Sequence, residues 1–354
     1  MKYLIVQDWP STHGNHAGML HMCNLLKEMY PQDYKVIVKA CPVDIKEIGW
    51  IGTRIVRRRI RKIYEKWIYP YSFVKLVKKN VPYFSENDEV FLLEYLFPET
   101  SQFQLAKYLR KRYPGIKIYA LSHLTPTFAE KKYKNYPTLI RKWSVPIDKM
   151  LTLGSSLSMY FEMNGVSCKK ISTGFHYVDK VYYHPSQNKK NNVTLKVITI
   201  GAMARNYPLL SEIVASTPDV EWIICKGNKN VDGLFPATPN VHVLGFLSEE
   251  ELKHQMDVAD VSISVMDDTI GSNVITTALA MGLAQVVSDT GSIRDYCTKE
   301  NTIFCQNTVD DFVKAINYLS THRAEVEVMK NAALQQAKCF SVENVNEWFS
   351  SLNK

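Results

Sequence analysis

The sequence has no long apolar run and no cysteine pattern, and these two absences narrow the class of protein. No uninterrupted apolar stretch approaches the ~20 residues that a membrane-spanning helix needs. Residues 1–6 have the pattern of a short opening strand and not of a signal peptide, so we expect a cytoplasmic protein. The seven cysteines are scattered, odd in number and without a C-x-x-C pair, so neither a disulfide framework nor a zinc site is indicated.

The length of the chain favours two globular domains. It has 354 residues, of which 46% are hydrophobic, with 15 glycines and 15 prolines. Since a domain usually has about 100–200 residues, two domains with sizeable cores are expected. The sequence contains no visible short repeat and no low-complexity tract.

The net charge of +8 is unevenly distributed along the chain. Residues 1–185 carry 29 Lys and Arg against 15 Asp and Glu, whereas residues 186–354 carry 14 against 20. The two halves therefore face different partners. Much of the excess lies in residues 54–79, which hold ten cations and a single acid, Glu65.

The apolar residues of segment 54–79 recur at steps of three or four, which predicts one face of a helix bent or split at Pro70. They are Val56, Ile60, Ile63, Trp67, Tyr71 and Val74. A basic amphipathic helix with Trp and Tyr beside its apolar stripe is suited to an anionic membrane surface, where each cation contributes about 1 kcal/mol.

Two other interpretations of this segment are open. The stripe can pack on its own domain and leave the cations in solvent, which we rank second. Nucleic acid ranks a distant third, because the chain has no recognition motif with aromatic and glycine spacing. We therefore expect a membrane surface and no nucleic acid as the partner of residues 54–79.

Strand and helix patterns alternate along the chain, which predicts a doubly wound α/β fold. In the first half the predicted strands are 3–6, 34–39, 89–95, 117–121 and 149–153, and the predicted helices are 19–29, 101–113 and 156–164. After a polar linker the pattern restarts with strands 196–200, 221–225, 241–244 and 261–265 and a helix at 209–215. The predicted domains are 1–185 and 186–340, with 341–354 as a helix that crosses back to the first domain.

The most informative segment is the one at 266–282, which follows a predicted strand and begins a helix of small residues. Gly271 frees the backbone there, and Ser272 and Asn273 offer donors where the helix begins. The first turn of a helix has unpaired N–H groups and partial positive charge, so a phosphate beside Ser272 to Val274 is stabilised without a metal. An ordinary capped helix is the alternative interpretation.

Polar residues also follow other predicted strands, where ligands of open α/β sheets bind. In the first domain the loop after strand one contains Asn15, His16 and Gly18, and His123 follows a later strand. In the second domain the residues at strand ends are Arg205, Lys226 and Phe246. Arginine and lysine are natural phosphate partners, and their convergence with Ser272 and Asn273 at equivalent strand ends favours a phosphate site.

Several segments, in the correct order, resemble those of the GT-B glycosyltransferases. Residues 171–179, ISTGFHYVD, are similar to the segment that precedes the family's linker, and residues 241–252, VHVLGFLSEEEL, to its "flG" segment. Residues 278–292, ALAMGLAQVVSDTGS, resemble its "EAMA" stretch. The likeness runs over nearly the whole chain, and it is to the retaining group that includes bacterial lipopolysaccharide, capsule and lipid-sugar transferases.

The resemblance implies two Rossmann-like domains facing each other across a cleft, with a nucleotide-sugar donor in the second domain and no metal or cofactor. The base is expected near Phe246 and the ribose near Thr277. The implied donor-binding residues are Arg205, Lys226, Phe246, Gly271, Ser272, Asn273, Val274 and Thr277. On the acceptor side they are Asn15, His16 and Gly18, with His123 near the transferred sugar or, alternatively, a core histidine.

The family's paired glutamates correspond here to Thr269 and Thr277, neither of which is acidic. We therefore expect Asp268 to replace the first glutamate and to position the sugar together with His123. Arg205, Ser272 and Asn273 are expected to hold the leaving phosphate, which can itself accept the acceptor's proton in a retaining mechanism.

The expected protein is thus a peripheral enzyme on the inner face of the cell membrane, transferring a sugar, with UDP favoured as carrier, to a lipid-linked or polysaccharide acceptor. Two alternatives are open. A GT-B nucleotide-sugar epimerase would need acid and base carboxylates, for which the sequence offers few candidates. A non-catalytic GT-B subunit that docks a partner transferase would explain the missing glutamates.

Overall fold

The computed structural model describes residues 1–9, 14–40, 63–64, 68–96, 101–187, 192–201 and 204–353. The chain divides into two compact units. The first unit is 1–153, 157–174 and 350–354, and the second is 154–156 and 175–349. Among the described residues, no helix has both the length and the apolar character that a membrane crossing requires.

The first unit is built on a parallel sheet of six strands in the order β2-β1-β3-β4-β5-β6. The strands are β1 (Lys2–Asp8), β2 (Tyr34–Ala40), β3 (Glu89–Leu92), β4 (Lys117–Ser122), β5 (Lys149–Thr152) and β6 (Ile171–Thr173). The central strands are apolar on both faces, as expected of a parallel sheet covered by helices. In β3, for example, Val90, Phe91 and Leu92 are fully buried.

In the described part of the chain, six helices accompany this sheet. They are α1 (Met19–Met29), α2 (Ser72–Asn80), α3 (Ser101–Arg112), α4 (Pro126–Lys132), α5 (Tyr136–Ser144) and α6 (Ser155–Met163). The ring of Tyr95 stacks on that of Trp143 in α5 at 4.6 Å, and the Tyr95 hydroxyl donates to the Trp143 carbonyl oxygen at 2.6 Å. This pair ties α5 to the sheet.

The second unit repeats the architecture with the strand order β12-β11-β10-β7-β8-β9, again all parallel. Its strands are β7 (Lys196–Ile200), β8 (Glu221–Cys225), β9 (Val241–Leu244), β10 (Val261–Ser264), β11 (Ala284–Ser288) and β12 (Thr302–Cys305). Its helices are α7 (Tyr207–Ala215), α8 (Glu249–Val258), α9 (Asn273–Ala280), α10 (Val309–Thr321), α11 (Arg323–Gln336) and α12 (Val342–Ser351). The core on one side of the sheet includes Trp222 and Phe312, both fully buried.

Each sheet has one topological switch point, where the chain leaves a strand on one side and later returns on the other. In the first unit this point lies between β1 and β3, and in the second it lies between β7 and β10. In open α/β sheets the crevice at the carboxyl ends of such a strand pair is the usual ligand site. The topology therefore directs attention to the residues that follow β1, β3, β7 and β10.

The prediction of two Rossmann-like, doubly wound α/β domains is confirmed. Strands 196–200, 221–225 and 241–244 have the predicted bounds. The two compact units divide between Gly174 and Phe175, whereas the predicted domain bound is at 185. Residues 188–191 of the predicted linker at 186–192 lie outside the described residues.

Most of the basic segment 54–79 lies outside the described residues, which include only 63–64 and 68–79 of it. Its last part is not one continuous helix, because a 3₁₀ turn at Tyr69–Tyr71, with Pro70 at its start, precedes α2. Val74 is buried while Tyr71 is 56% exposed, so the predicted apolar stripe does not form a single face there.

Candidate functional site

The candidate site of the second unit lies at the switch point between β7 and β10. The loop after β7 is joined to the loop after β10 by a short antiparallel bridge between Arg205 and Met266. The Asn206 N–H donates to the Val265 carbonyl oxygen at 3.0 Å, and the Asp267 N–H donates to the Ala204 carbonyl oxygen at 3.2 Å. These bonds fix the backbone on both sides of Arg205.

The guanidinium of Arg205 lies over Gly201, at the end of β7 and beside the first turn of α9. A Cβ built on Gly201 would be 3.7 Å from Nε and Nη2 of Arg205 and 3.7 Å from Cγ2 of Val274. Gly201 has φ +94°, a conformation that favours glycine, and so leaves this point open. The loop geometry thus brings the cation to the beginning of α9.

Arg205 carries a buried charge with few partners. Its Nε and Nη1 atoms are buried and have no hydrogen-bond acceptor among the described residues. Burial lowers the pKa of Arg205 to about 10, so the side chain remains a cation at neutral pH. A buried cation without an acceptor is costly, and an anionic ligand would remove that cost.

The beginning of α9 has the geometry of an anion site. Ser272 is the N-cap, and its Oγ accepts from the Val274 N–H at 3.2 Å. The Ile275 and Thr276 N–H groups donate to the Ser272 carbonyl oxygen. In the part of the chain that the structure describes, the Ser272 and Asn273 N–H groups have no acceptor, and the Ser272 hydroxyl proton is also available to a ligand.

The loop before α9 can adopt its path only with glycine at position 271. Gly271 has φ +94°, and a Cβ there would lie 2.3 Å from ring atoms of Tyr296. The Tyr296 ring is held in place because its hydroxyl oxygen accepts from the His176 N–H at 2.9 Å. The Gly271 N–H donates to Oγ1 of Thr269 at 3.1 Å, so the loop has internal support as well.

Lys226 and Phe246 follow the next two strands of the same sheet. β8 pairs with β7 through Cys225 and Ile200, and with β9 through Cys225 and Leu244. Lys226 is half-buried and its Nζ donates to the carbonyl oxygen of Lys229 at 3.0 Å. Phe246 is 69% exposed, as a platform for a stacking ring would be.

The two threonines at the positions of the family's glutamates are both buried. The Thr277 hydroxyl donates to the carbonyl oxygens of Asn273 and Val274, so its proton is used within α9. Thr269 supports the loop before α9, and its carbonyl oxygen accepts from the Ser292 N–H at 2.8 Å. Asp268 is half-buried beside it.

The predicted acceptor-side residues of the first unit lie in the turn that leads into α1. Oδ1 of Asn15 accepts from the Ala17 N–H at 2.7 Å, and the Asn15 carbonyl oxygen accepts from the Gly18 N–H at 2.9 Å. Gly18 is the N-cap of α1, and the ring of His16 lies edge-on to that of His21 at 4.6 Å. Residues 10–13 of this loop lie outside the described residues.

His123 follows β4 in the first unit and lies beside a carboxyl group that the sequence did not single out. Its Nε2 is 3.9 Å from Oε2 of Glu94, which follows β3. Burial raises the pKa of Glu94 to about 8 and lowers that of His123 to about 4, so both groups are neutral at pH 7. The sequence pattern did not predict Glu94 as a site residue, because a single acid inside the apolar run VFLLEYLF belongs to no recognisable motif.

Part of the sequence of the second unit matches a known protein family. Residues 194–322 match the model of a family described as "Glycosyl transferases group 1". This segment contains β7 to β12 and therefore Arg205, Lys226, Phe246 and the beginning of α9. No curated protein sequence matches the chain at a significant level.

Solved structures of the same fold cover almost the whole chain. Sucrose-phosphate synthase from Thermosynechococcus elongatus has a TM-score of 0.74 at 10% identity, covering 100% of this chain and 98% of that one. HepE from Anabaena, in complex with UDP-glucose, has a TM-score of 0.68 at 11% identity and 99% coverage of both chains. The lipopolysaccharide outer core galactosyltransferase WaaB has a TM-score of 0.65 at 16% identity and 99% coverage of both. The fold is that of GT-B glycosyltransferases.

The close approach of Gly271 to Tyr296 predicts a stability effect. Gly271→Ala should lower the free energy of unfolding by about 2 kcal/mol or more, since it adds a steric clash to an unfavourable backbone conformation. Urea denaturation followed by tryptophan fluorescence measures the change. The matched control is Gly227→Ala, at φ +58° with nothing within 4 Å of the added Cβ, which should cost about 1 kcal/mol. Equal losses in the two variants would contradict a clash with Tyr296.

The raised pKa of Glu94 predicts a pH-dependent stability. Between pH 4.5 and 8 the folded protein keeps a proton on Glu94 that the unfolded chain has lost, so this group's contribution to stability falls as pH rises. Glu94→Gln cannot titrate, so its free energy of unfolding relative to wild type should rise by about 2 kcal/mol between pH 6 and 8, and its relative melting temperature should rise with it. Glu86→Gln, at an exposed position, is the control, and a pH-independent difference for Glu94→Gln would refute the assignment.

Proposed function

We propose that this chain is a glycosyltransferase that transfers a sugar from a nucleotide-diphosphate sugar to a lipid-linked or polysaccharide acceptor in bacterial surface glycan synthesis. The observation that carries the proposal is the buried guanidinium of Arg205 beside the first turn of α9, at a topological switch point. A pyrophosphate meets the electrostatic requirement of this site. The match of residues 194–322 to the glycosyltransferase family model supports the same activity.

In the proposed reaction, negative charge grows on the leaving diphosphate as the bond to the sugar breaks. Arg205, the N–H groups of Ser272 and Asn273, and the Ser272 hydroxyl hold this charge with fixed donors, without a metal or cofactor. Such preorganised donors are often the largest catalytic contribution. His123 and Asp268 position the sugar, and in a retaining mechanism the departing phosphate accepts the proton of the acceptor hydroxyl.

The nucleoside is proposed to bind toward the edge of the same sheet. The exposed ring of Phe246 provides a stacking surface for the base, and Lys226 lies between Phe246 and Arg205 in strand order. With its proton used inside α9, Thr277 can serve a ribose hydroxyl only as an acceptor. UDP is the favoured carrier, supported by the UDP-glucose complex of HepE among proteins of this fold.

The acceptor is proposed to be presented at the inner face of the cell membrane, where the protein binds peripherally. The support is the basic composition of residues 54–79 together with α2, where Lys75, Lys78 and Lys79 are exposed. Phe73, Val74 and Val77 of the same helix are buried and anchor it to the first unit. Among proteins of this fold, WaaB is by its name a lipopolysaccharide galactosyltransferase.

Replacement of Arg205 tests the proposal directly. Arg205→Met keeps the volume of the stem but removes the charge and its donors, and UDP should then bind about 10- to 100-fold more weakly by calorimetry. The melting temperature of the ligand-free variant should rise, because it lacks a buried cation whose Nε and Nη1 have no acceptor among the described residues. Arg294→Met is the matched control, since that exposed guanidinium is already paired with Asp289 at 2.7–2.8 Å. Unchanged UDP affinity in Arg205→Met would exclude Arg205 from the site.

The membrane proposal is tested with vesicles. Lys75→Ser/Lys79→Ser should reduce cosedimentation with phosphatidylserine vesicles about 25-fold, since each cation near an anionic surface contributes about 1 kcal/mol. The wild-type binding should weaken with added salt. Lys299→Ser/Lys314→Ser in the second unit serves as the charge-matched control. A wild-type protein that does not sediment with anionic vesicles would end the membrane proposal.

One observation favours a second candidate, a nucleotide-sugar epimerase. Such an enzyme needs carboxyl groups that exchange protons, and Glu94 is a buried carboxyl at the switch point of the first unit. Incubation of the protein with UDP-glucose or UDP-N-acetylglucosamine, followed by proton NMR, separates the two activities. Formation of the epimer without an added acceptor would replace the transferase proposal.

A further inference from the structure

Three buried polar residues lie side by side at the switch point of the first unit. β1 pairs with β3 through Ile5 and Leu92, and β3 pairs with β4 through Leu92 and Ala120. Two residues further on, this register aligns Gln7, Glu94 and Ser122. The alignment persists beyond β3, because the Leu93 N–H donates to the Ile5 carbonyl oxygen and the Tyr95 N–H to the Leu121 carbonyl oxygen.

The side chains of this row are buried but incompletely paired. Gln7 is 4% exposed, Glu94 is 9% and Ser122 is 0%. Nε2 of Gln7, Oγ of Ser122 and Nδ1 of the adjacent His123 are buried without a hydrogen-bond partner among the residues that the structure describes. Buried polar groups are normally hydrogen-bonded, so three unpaired ones at a switch point indicate a ligand with several hydroxyl or amide groups.

The distance between Glu94 and His123 allows both side chains to contact the same ligand atom. At 3.9 Å, Oε2 and Nε2 are too far apart for a direct hydrogen bond. One ligand oxygen placed about 2.8 Å from each of these atoms satisfies both groups at once. The carboxyl group is also held from the other side, since the Trp9 side chain hydrogen-bonds to it.

The charge around this row of side chains differs from that of the Arg205 site. Among the described residues, the groups beside Glu94 include Trp9, whose side chain hydrogen-bonds to it, His123 at 3.9 Å and the Cys23 thiol of α1, and none of these three is a cation at neutral pH. The carboxyl group is therefore present as the neutral acid, which donates one hydrogen bond and accepts others. These neutral groups favour a neutral ligand over a phosphate or an amine.

We propose that Gln7, Glu94, Ser122 and His123 form a binding subsite for a neutral polyhydroxylated group, in which Glu94 and His123 share one ligand hydroxyl. The inference rests on the proposed function in so far as the hydroxyls belong to the transferred sugar or the acceptor. Glu94 is thereby a specificity-determining residue: it selects an uncharged sugar ring through contacts that neither a phosphate nor a carboxylate can replace.

The test uses the ¹⁵N signals of His123, assigned by their loss in His123→Gln. Addition of glycerol or methyl α-glucoside to the full chain should shift these signals, whereas glucose 6-phosphate should shift them far less. Glu94→Leu should weaken glucoside binding about five- to tenfold, equivalent to one hydrogen bond. Glu94→Gln, which still donates and accepts, should retain it, and the matched control Glu89→Gln, at the other end of β3, should bind as wild type does.

The pH dependence of glucoside binding separates a direct contact of Glu94 from a merely structural role. In the wild type the glucoside affinity should fall above pH 8, as Glu94 loses its proton, whereas in Glu94→Gln it should be independent of pH. Identical affinities in wild type and Glu94→Leu, or His123 signals that do not respond to either neutral polyol at molar concentration, would overturn the proposal.

UDP binding is measured in the same samples to keep this proposal distinct from the function proposed above. It depends on Arg205 in the second unit and should be the same in Glu94→Leu as in wild type. A wild type that binds the glucoside but not UDP contradicts the proposed transferase activity and leaves the polyol subsite intact. The reverse result contradicts the subsite alone.

Discussion

A buried guanidinium without a full set of acceptors is the constraint around which the second unit is organised. Arg205 is brought to the beginning of α9 by a bridge between two loops, and Gly201 leaves the space above it open. The helix supplies two further N–H donors at the same place. The field of this site is therefore positive, as the proposed phosphate site requires.

The two units share one sheet topology but differ in the chemistry of the residues at its switch point. In each, a parallel sheet reverses its winding direction once. Among the described residues, some incompletely paired polar side chains lie at that reversal: Gln7, Ser122 and His123 in the first unit and Arg205 in the second. In the second unit they are cationic and suit a phosphate, whereas in the first they are neutral and suit hydroxyl groups. A nucleotide sugar and its acceptor contain both kinds of group, which is how the proposed activity accounts for both sites.

Sequence patterns predicted the fold and the helix cap at the beginning of α9, for physical reasons. The strands of a doubly wound sheet are short apolar runs between turns, and the Gly271-Ser272-Asn273 sequence specifies a loop and a helix cap by its own conformational preferences. Glu94 was missed because burial of an acid depends on strand order, which local periodicity does not contain. The basic segment was predicted as a helix bent or split at Pro70, and a 3₁₀ turn lies at that point. The burial of Val74 beside the exposed Tyr71 depends instead on packing against the first unit, which local periodicity does not contain.

The incomplete pairing of Arg205 among the described residues has a consequence for the lifetime of the protein in the cell. A molecule without ligand retains the free-energy cost of a desolvated cation. It therefore unfolds more readily and is cleaved faster by proteases. A bound nucleotide shifts the folding equilibrium toward the native state by mass action. Under the proposed function, the abundance of the protein would therefore follow the supply of its activated sugar, with no dedicated regulator.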